Sequence, residues 1–119
     1  MTPTIVLRDH KLWLVLGAEG GPTIITSVAN VIVGVRDFGL DVQQAVNAPH
    51  IHQQWLPEQI EVEDGRISAD TVRLLESAAN RIGPVEIPGD SECIEIDLQT
   101  GERLGASDAR NESGRALGY

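Results

Sequence analysis

The segment Gly17-Ala18-Glu19-Gly20-Gly21-Pro22 constrains the fold most, because it separates two runs of different periodicity. Before it, Lys11 to Leu16 is apolar and typical of a β-strand, whereas after it apolar residues recur at helical spacing. Clustered glycines do not continue a strand well, and Pro22 suits the first position of a helix. The sequence therefore predicts a strand, a tight glycine turn and a helix, in that order.

The same glycine turn is a candidate binding site. Backbone N–H groups at such a turn can point at one spot, with the positive end of the helix dipole behind them, and can bind an anion or a developing oxyanion. The glycine spacing does not match a dinucleotide-binding fingerprint, and the Lys and Ser/Thr of a phosphate-binding loop are absent. On the residues alone, a plain structural turn is favoured and an anion site is the alternative.

The first half of the chain predicts a hairpin and two helices. Thr4 to Leu7 and Lys11 to Leu16 form the hairpin around Asp9-His10. The first helix begins at Pro22, stops at Gly39 and buries a wide stripe: Ile24, Ile25, Val28, Ala29, Val31, Ile32, Val33 and Val35. Asp41 and Gln44 form a capping box for a shorter helix that ends near Asn47. An irregular segment from Pro49 to Pro57 follows.

The second half predicts two strands on either side of a helix, then a returning strand. Ile60 to Glu63 is a short strand, and Ser68 caps a helix whose apolar spacing runs to Ile82 and stops at Gly83-Pro84. Glu92 to Leu98 alternates with its isoleucines on one face, and Arg103 to Ala106 pairs with it. We therefore expect an α/β fold of the α+β type, a single domain over residues 1–119, with a mainly antiparallel sheet and helices on one side.

Charge and cysteine content exclude several classes of function. The net charge is −9, from 9 basic and 18 acidic residues, which argues against nucleic acid and anionic membrane as partners. The single cysteine, Cys93, excludes an internal disulfide and is interpreted as a small buried residue rather than a nucleophile. No apolar run approaches the ~20 residues of a membrane span.

Other candidate residues carry weaker signals. His50 and His52 share a face of an extended segment and could begin a metal site, but no third ligand is evident, and hydrogen-bonding histidines are the favoured interpretation. Thr2 would become a terminal nucleophile if Met1 were removed. Asn111-Glu112-Ser113 matches a glycosylation sequon, and the acidic residues from Glu58 to Asp64 are interpreted as a solvated edge. We expect no cofactor and no metal.

Several blocks of the sequence, in order, resemble γ-glutamyltranspeptidases. Met1-Thr2-Pro3-Thr4-Ile5-Val6 is similar to their Met-Ser-Pro-Thr-Ile-Val stretch, and Gly20-Gly21-Pro22-Thr23-Ile24-Ile25 is similar to their Gly-Gly-Pro-Thr-Ile-Ile segment. Further similar blocks are Asp37-Phe38-Gly39, Ala45 to Pro49, His52 to Pro57 and Gly101 to Tyr119. The resemblance covers essentially the whole chain and places it in the C-terminal portion of the family's small subunit.

The resemblance implies an N-terminal-nucleophile hydrolase with an αββα sandwich, in which a threonine attacks a γ-glutamyl carbonyl. It implies that Gly20 and Gly21 form the oxyanion hole and contact the substrate. The nucleophile, the substrate-binding acidic residues and a serine pair would precede Met1, so Thr2 would be an ordinary residue. Ala18-Glu19 replaces the family's Ser-Pro, and an inward Glu19 carboxylate would disfavour an oxyanion.

These implications set the functional expectations. The chain by itself should be inactive and should need the remainder of the small subunit and the large subunit, with a γ-glutamyl substrate bound only in the complete enzyme. In isolation it should self-associate through exposed apolar sheet edges. The family is usually exported, although this chain shows no signal peptide. Two alternatives are a related cephalosporin or glutaryl acylase and a non-enzymatic binding module.

Overall fold

The computed structural model describes residues 3–85 and 90–118. Within them the chain forms two β-sheets and three α-helices. The strands are β1 (Thr4–Arg8), β2 (Lys11–Glu19), β3 (Ile51–His52), β4 (Ile60–Val62), β5 (Ile82–Pro84), β6 (Asp90–Ile96) and β7 (Arg103–Ser107), and the helices are α1 (Ile24–Asp37), α2 (Val42–Asn47) and α3 (Ala69–Ser77).

The predicted hairpin is confirmed as β1 and β2, which pair in antiparallel register. Asp9 and His10 connect them with φ angles of 51° and 62°. Two positive φ angles in a two-residue connection are typical of the type I′ turn, whose twist matches that of the flanking strands. The register shifts once, between Val6 and Leu7.

The larger sheet is antiparallel with helices on one side, as predicted: its four strands have the order β1-β2-β6-β7, and α1 and α2 cover one of its faces. Leu16, Cys93 and Ala106 lie on that covered face. The sequence predicts that the isoleucines of β6 share one face but not which face is covered, and Ile94 is 42% exposed and pairs with Val15 on the face opposite the helices. The helices cover the alternate positions of β6, so Ser91 and Cys93 are buried instead.

Helix α1 buries a narrower stripe than its sequence predicts. Val28, Val31 and Val35 are buried, but Ile25 is 75% and Val33 42% exposed, and Ala29 is exposed as well. The packed neighbours of α1 lie on one side, so residues on the flank of the stripe face outward. Close packing against α2 depends on Gly34, because a Cβ there would lie 3.0 Å from the Cβ of Ala45.

Helix α2 begins and ends as predicted, with both hydrogen bonds of the Asp41–Gln44 capping box present. Helix α3 is capped by Ser68 as predicted, but it ends at Ser77 and not near Ile82. Ala79 adopts a left-handed φ of 64°, which turns the chain out of the helix. Gly83 and Pro84, predicted as a helix stop, lie in β5, which runs parallel to β4.

The segment predicted as irregular, Pro49 to Pro57, contains the short strand β3, which pairs with β4 in antiparallel register. The second sheet therefore has the order β3-β4-β5. No helix in the part of the chain that the structure describes has both the length and the apolar character needed to cross a bilayer.

Candidate functional site

The glycine turn lies between the end of β2 and the start of α1. Gly20 has φ 132° and ψ 18°, and Gly21 has φ 61°, both in the region that L side chains rarely adopt. A single 3₁₀ turn, Gly21–Thr23, then leads directly into α1. The predicted strand, glycine turn and helix are therefore confirmed, and the backbone angles explain why glycine is needed at both positions.

Few amide donors remain available at this end of the helix. The first N–H groups of a helix have no acceptor within the helix, and Pro22 has no N–H to offer. The amide of Thr23 donates to the carbonyl oxygen of Gly20 over 3.3 Å, and the Thr23 hydroxyl donates to the same oxygen over 2.8 Å. These bonds hold the turn closed.

A cavity of about 610 Å³ lies beside the glycine turn, on the sheet face that the helices do not cover. Glu19 is exposed, lines this cavity and pairs across the sheet with Asp90. The acidic end also includes Glu92, whereas Val15, Ile94 and Leu117 line the apolar part. Glu19 therefore lies on the cavity side of the sheet, where its carboxylate remains accessible to water.

The C-terminal segment closes one side of this cavity. Asn111 donates its side-chain amide to Asp90, and Ser107 donates its hydroxyl to Glu92 over 2.7 Å. Gly114 lies so close to the side chains of Ser107 and Glu92 that a Cβ there would require both side chains to shift. The amide of Asn111, which begins the sequon, is therefore engaged in a contact within the chain.

His50 and His52 are both buried, with only 3% and 5% of their surface exposed. The ring of His52 makes hydrogen bonds at both nitrogens, Nδ1 with the Thr26 hydroxyl (2.8 Å) and Nε2 with Gln54 Oε1 (3.2 Å). The hydrogen-bonding interpretation therefore fits His52. No group of three or more potential metal ligands is found among residues 3–85 and 90–118. Thr2, considered as a terminal nucleophile in the sequence, lies outside the described residues.

A buried ionic cluster is present that the sequence does not predict. Glu63 is predicted to lie on a solvated edge, but it is only 6% exposed and accepts hydrogen bonds from Arg110 at both of its oxygens. Arg110 also donates to Asp108 (2.8 Å), whose side chain is fully buried, and to the carbonyl oxygens of Val46 and Ala48. Glu63 and Arg110 are 47 residues apart, so no local spacing signals their contact.

The electrostatics of this cluster favour the charged state of Arg110. Burial by itself lowers its pKa, but the hydrogen bonds and charges of Glu63 and Asp108 outweigh burial, so the pKa is raised above its ordinary value. The guanidinium thus pairs with two buried carboxylates and donates to two carbonyl oxygens at the end of α2, while Arg66 supplies a second cation to Glu63 over 3.1 Å. The cluster joins the C-terminal segment to α2 and to the residue that follows β4.

Cys93 is unsuited to nucleophilic chemistry in the folded chain. It is 4% exposed, and burial raises the pKa of its thiol to about 12, with further contributions from the charges of Glu92 and Asp108. Because the thiolate is the reactive form, a thiol with this pKa is inert near neutral pH. This agrees with its interpretation as a small buried residue.

Comparison with known proteins identifies the family. The family model described as Gamma-glutamyltranspeptidase matches residues 1–118. The chain belongs to the γ-glutamyltranspeptidase family. It is 44% identical over 119 residues to the glutathione hydrolase proenzyme of Escherichia coli, covering all of this chain and 20% of that protein. The family resemblance seen in the sequence is thereby confirmed.

Solved structures agree with this assignment. The γ-glutamyltranspeptidase T380A mutant of Helicobacter pylori superposes with a TM-score of 0.86 at 36% identity, over 93% of this chain and 61% of that one. A cephalosporin acylase from Bacillus halodurans has a TM-score of 0.83 at 24% identity, over 92% of this chain and 21% of that one, and this likeness concerns the fold alone. The α/β fold class is confirmed. This γ-glutamyltranspeptidase-family chain spans about one fifth of the length of the curated relatives it matches.

Proposed function

We propose that this chain supplies the oxyanion-stabilising loop of an enzyme that transfers or hydrolyses γ-glutamyl groups of glutathione-type substrates. The observation that carries the proposal is the geometry of Gly20 and Gly21, two positive-φ residues directly before a helix in a member of this family. Their amides are the donors, and the positive end of the α1 dipole adds to their effect. The Thr nucleophile of such an enzyme would come from residues outside this chain.

The chemistry follows from where charge develops. When a nucleophile attacks the γ-glutamyl carbonyl, its oxygen gains negative charge, and donors fixed in place beforehand stabilise that charge at no cost of reorganisation. Gly20 and Gly21 suit this role because the absence of side chains lets the carbonyl approach the backbone. The acyl-enzyme is then resolved by water or by an acceptor amine. Donation by two amides requires no cofactor.

The proposal also covers the partners of this chain. Its sheet face opposite α1 and α2 carries Ile94, which is 42% exposed, and the edge strand β1 carries Ile5 at 66% and Leu7 at 60%. Apolar side chains on an open face and edge are suited to cover by further polypeptide, here the remainder of the small subunit and the large subunit. Alone, the chain should form homo-oligomers, and a monomer in sedimentation at high concentration would contradict this.

A graft tests the catalytic part of the proposal. This chain replaces the matching segment of the Escherichia coli relative, and turnover of γ-glutamyl-p-nitroanilide is measured. We expect the graft to be active and the isolated chain to be inactive. Gly20→Ala and Gly21→Ala force a side chain into a positive-φ turn and displace the amides, so kcat should fall about 10²-fold, as when an oxyanion donor is lost.

Gly101→Ala is the matched control, because Gly101 also has a positive φ (79°) with no atom near its added Cβ, but lies in the turn between β6 and β7. It imposes similar backbone strain at a distance from the glycine turn and should leave kcat within about twofold of the unsubstituted graft. Equal losses in all three variants would overturn the oxyanion assignment. A folded but inactive graft would show that this chain cannot serve the reaction.

A further inference from the structure

A chain of hydrogen bonds connects the glycine turn to His52, a residue to which the proposed reaction gives no role. The Thr23 hydroxyl donates to the carbonyl oxygen of Gly20 (2.8 Å), and the Thr26 hydroxyl donates to the carbonyl oxygen of Thr23 (3.0 Å). Thr26 Oγ1 in turn lies 2.8 Å from His52 Nδ1. Three consecutive contacts thus join the second sheet to the backbone that presents the amides of Gly20 and Gly21.

The direction of donation along this chain follows from the groups around His52. Gln54 Oε1 can only accept, because the Gln54 amide nitrogen donates to the carbonyl oxygen of Leu56, so Nε2 of a neutral imidazole carries the ring proton and Nδ1 accepts. The Thr26 hydroxyl has one proton and two acceptors within reach, His52 Nδ1 at 2.8 Å and the carbonyl oxygen of Thr23 at 3.0 Å. His52 therefore holds the Thr26 side chain between β3 and the first turn of α1.

His52 is itself held in place from several sides. It is 5% exposed, lies in β3, and its Nε2 faces Gln54 Oε1, while the Gln54 amide donates to the carbonyl oxygen of Leu56 over 3.1 Å. A second contact between the same elements is made by Asn30 of α1, whose side chain donates to the carbonyl oxygen of Ile51 over 2.9 Å. The imidazole is therefore held in a fixed position relative to the first turn of α1.

We propose that His52 is a positioning residue for the glycine turn, acting through Thr26 and Thr23 to fix the direction of the Gly20 and Gly21 amides. The proposal rests on the oxyanion function proposed above. In this proposal β3, which belongs to the second sheet, holds the start of α1 in place. A donor that turns away from the developing oxyanion loses its effect on the transition state but affects substrate binding little.

The first test removes the Thr26 hydroxyl in the active graft. Thr26→Val keeps the shape of the side chain and breaks both contacts, whereas Thr26→Ser keeps the hydroxyl and is the matched control. We expect Thr26→Val to lower kcat about tenfold with KM unchanged, less than the about 10²-fold that a 1 Å misplacement can cost. Thr26→Ser should remain within about twofold of the unsubstituted graft. Equal kcat in the two variants would overturn the proposal.

The second test replaces His52 with asparagine or glutamine, whose side-chain amides each reach the position of one ring nitrogen. His52→Asn places its amide near the position of Nδ1 and should retain most of kcat, whereas His52→Gln reaches the position of Nε2 and should behave like Thr26→Val. A role in folding alone would make the two variants equally poor. A two-bond ¹H–¹⁵N spectrum of the imidazole should also show the proton on Nε2, and a proton on Nδ1 alone would contradict this arrangement.

Amide NMR spectra of this chain separate the inference from the function on which it rests. The Gly20 and Gly21 resonances should shift in Thr26→Val and not in Thr26→Ser, whatever the activity of the graft. If they shift while Gly21→Ala leaves kcat intact, His52 positions the turn and the oxyanion function fails. If Gly21→Ala abolishes turnover but the resonances do not move in Thr26→Val, the oxyanion function stands and the role of His52 is refuted.

Discussion

The two sheets of this molecule are held by different forces. The four-stranded sheet packs with α1 and α2 around a continuous apolar core: Trp13, Leu14, Leu16, Ala18, Val28, Val31, Val35, Val42, Ala45, Val46, Cys93 and Ala106. In the three-stranded sheet, Val62 is the only buried apolar residue among those described, and α3 beside it buries none. Polar groups take the place of a core there: His50, His52 and Glu63 are all buried.

The difference shows how a sheet too small for its own core can still be fixed to a domain. The His50 amide donates to Glu63 (2.7 Å), and Glu63 binds Arg110, which also contacts Asp108 and the end of α2. A buried ionic cluster favours the arrangement that pairs its charges, and the loss of one member leaves an uncompensated charge. The second sheet should therefore be sensitive to a single polar substitution and insensitive to apolar ones.

The largest effect should come from Arg110→Met, which leaves the buried Asp108 without its cation and leaves Glu63 with Arg66 alone, at 3.1 Å. Removing one member of a buried ion pair costs about 3–5 kcal/mol, and urea unfolding should report a loss of that size. The amides of β3, β4 and β5 should lose protection from hydrogen exchange first. Arg36→Met is the matched control, because Arg36 is 70% exposed and its pair with Asp37 should contribute less than about 1 kcal/mol. Uniform loss of protection in both sheets would contradict the comparison.

Leu14→Ala tests the apolar core in the same way. Leu14 is 1% exposed, and truncation of a buried leucine costs about 2–5 kcal/mol. Cys93 provides the readout, because its thiol reacts only when the core opens, and the substitution should speed its alkylation without added denaturant. Leu74→Ala, in α3 at 69% exposure, should change neither stability nor labelling measurably. Equal labelling rates for Leu14→Ala and the unsubstituted chain would show that Leu14 does not keep the core around Cys93 closed to the reagent.

Gly34→Ala should have an intermediate effect, because its Cβ would press on that of Ala45 where α1 and α2 approach most closely. Overpacking of this kind costs about 1–3 kcal/mol, and the thermal midpoint should fall accordingly. The counterpart is Gly34→Ala combined with Ala45→Gly, which returns the space and should recover part of the loss. Failure of the second substitution to recover any stability would place the strain elsewhere.

The smallest effect should come from the turn after β6. The amides of Thr100 and Gln99 donate to Asp97 and lower the pKa of its carboxyl below the ordinary 3.8. The charged form is thus favoured by folding, so its contribution is present above the ordinary pKa and is lost as pH falls through the lowered one. Asp97→Asn should therefore lower the stability measured by urea titration slightly near neutral pH, and the difference from the unsubstituted chain should shrink as the pH falls through the lowered pKa. A difference that stays the same down to the lowest pH measured would contradict this.

Much of the first sheet could be predicted from the sequence, because its signals are local. Asp9-His10, the Asp41–Gln44 box and the glycine turn each act over a few residues, and each was confirmed. The direction of Ile94 could not be predicted, since alternation shows that a strand has two faces but not which face the helices cover. Helical spacing likewise does not show how wide a stripe of α1 its neighbours cover, so the exposure of Val33 could not be predicted.

The second sheet and the polar contacts could not be predicted, because they depend on residues far apart in sequence. Helical spacing continues by chance from Val72 to Ile82 across the left-handed Ala79, so the sequence predicts a helix end where β5 lies. The residues alone predict Gly20 and Gly21 only as a tight turn, and their oxyanion role comes from the family resemblance and stays a prediction. Glu63, Arg110 and His52 gain their roles only from tertiary contacts, and a charged or imidazole side chain in a loop gives no such signal.

The separation of Glu63 and Arg110 in the sequence also matters while the chain is being made. Synthesis at about 5–20 residues per second delivers Arg110 about 2 to 9 s after Glu63, given the 47 residues between them. During that interval Glu63 can pair with Arg66, three residues further on, but not with Arg110, whereas β1 and β2 can pair at once. The nascent chain therefore passes through a stage in which the second sheet is not yet joined to the C-terminal segment, and a chaperone or a protease would meet it in that state.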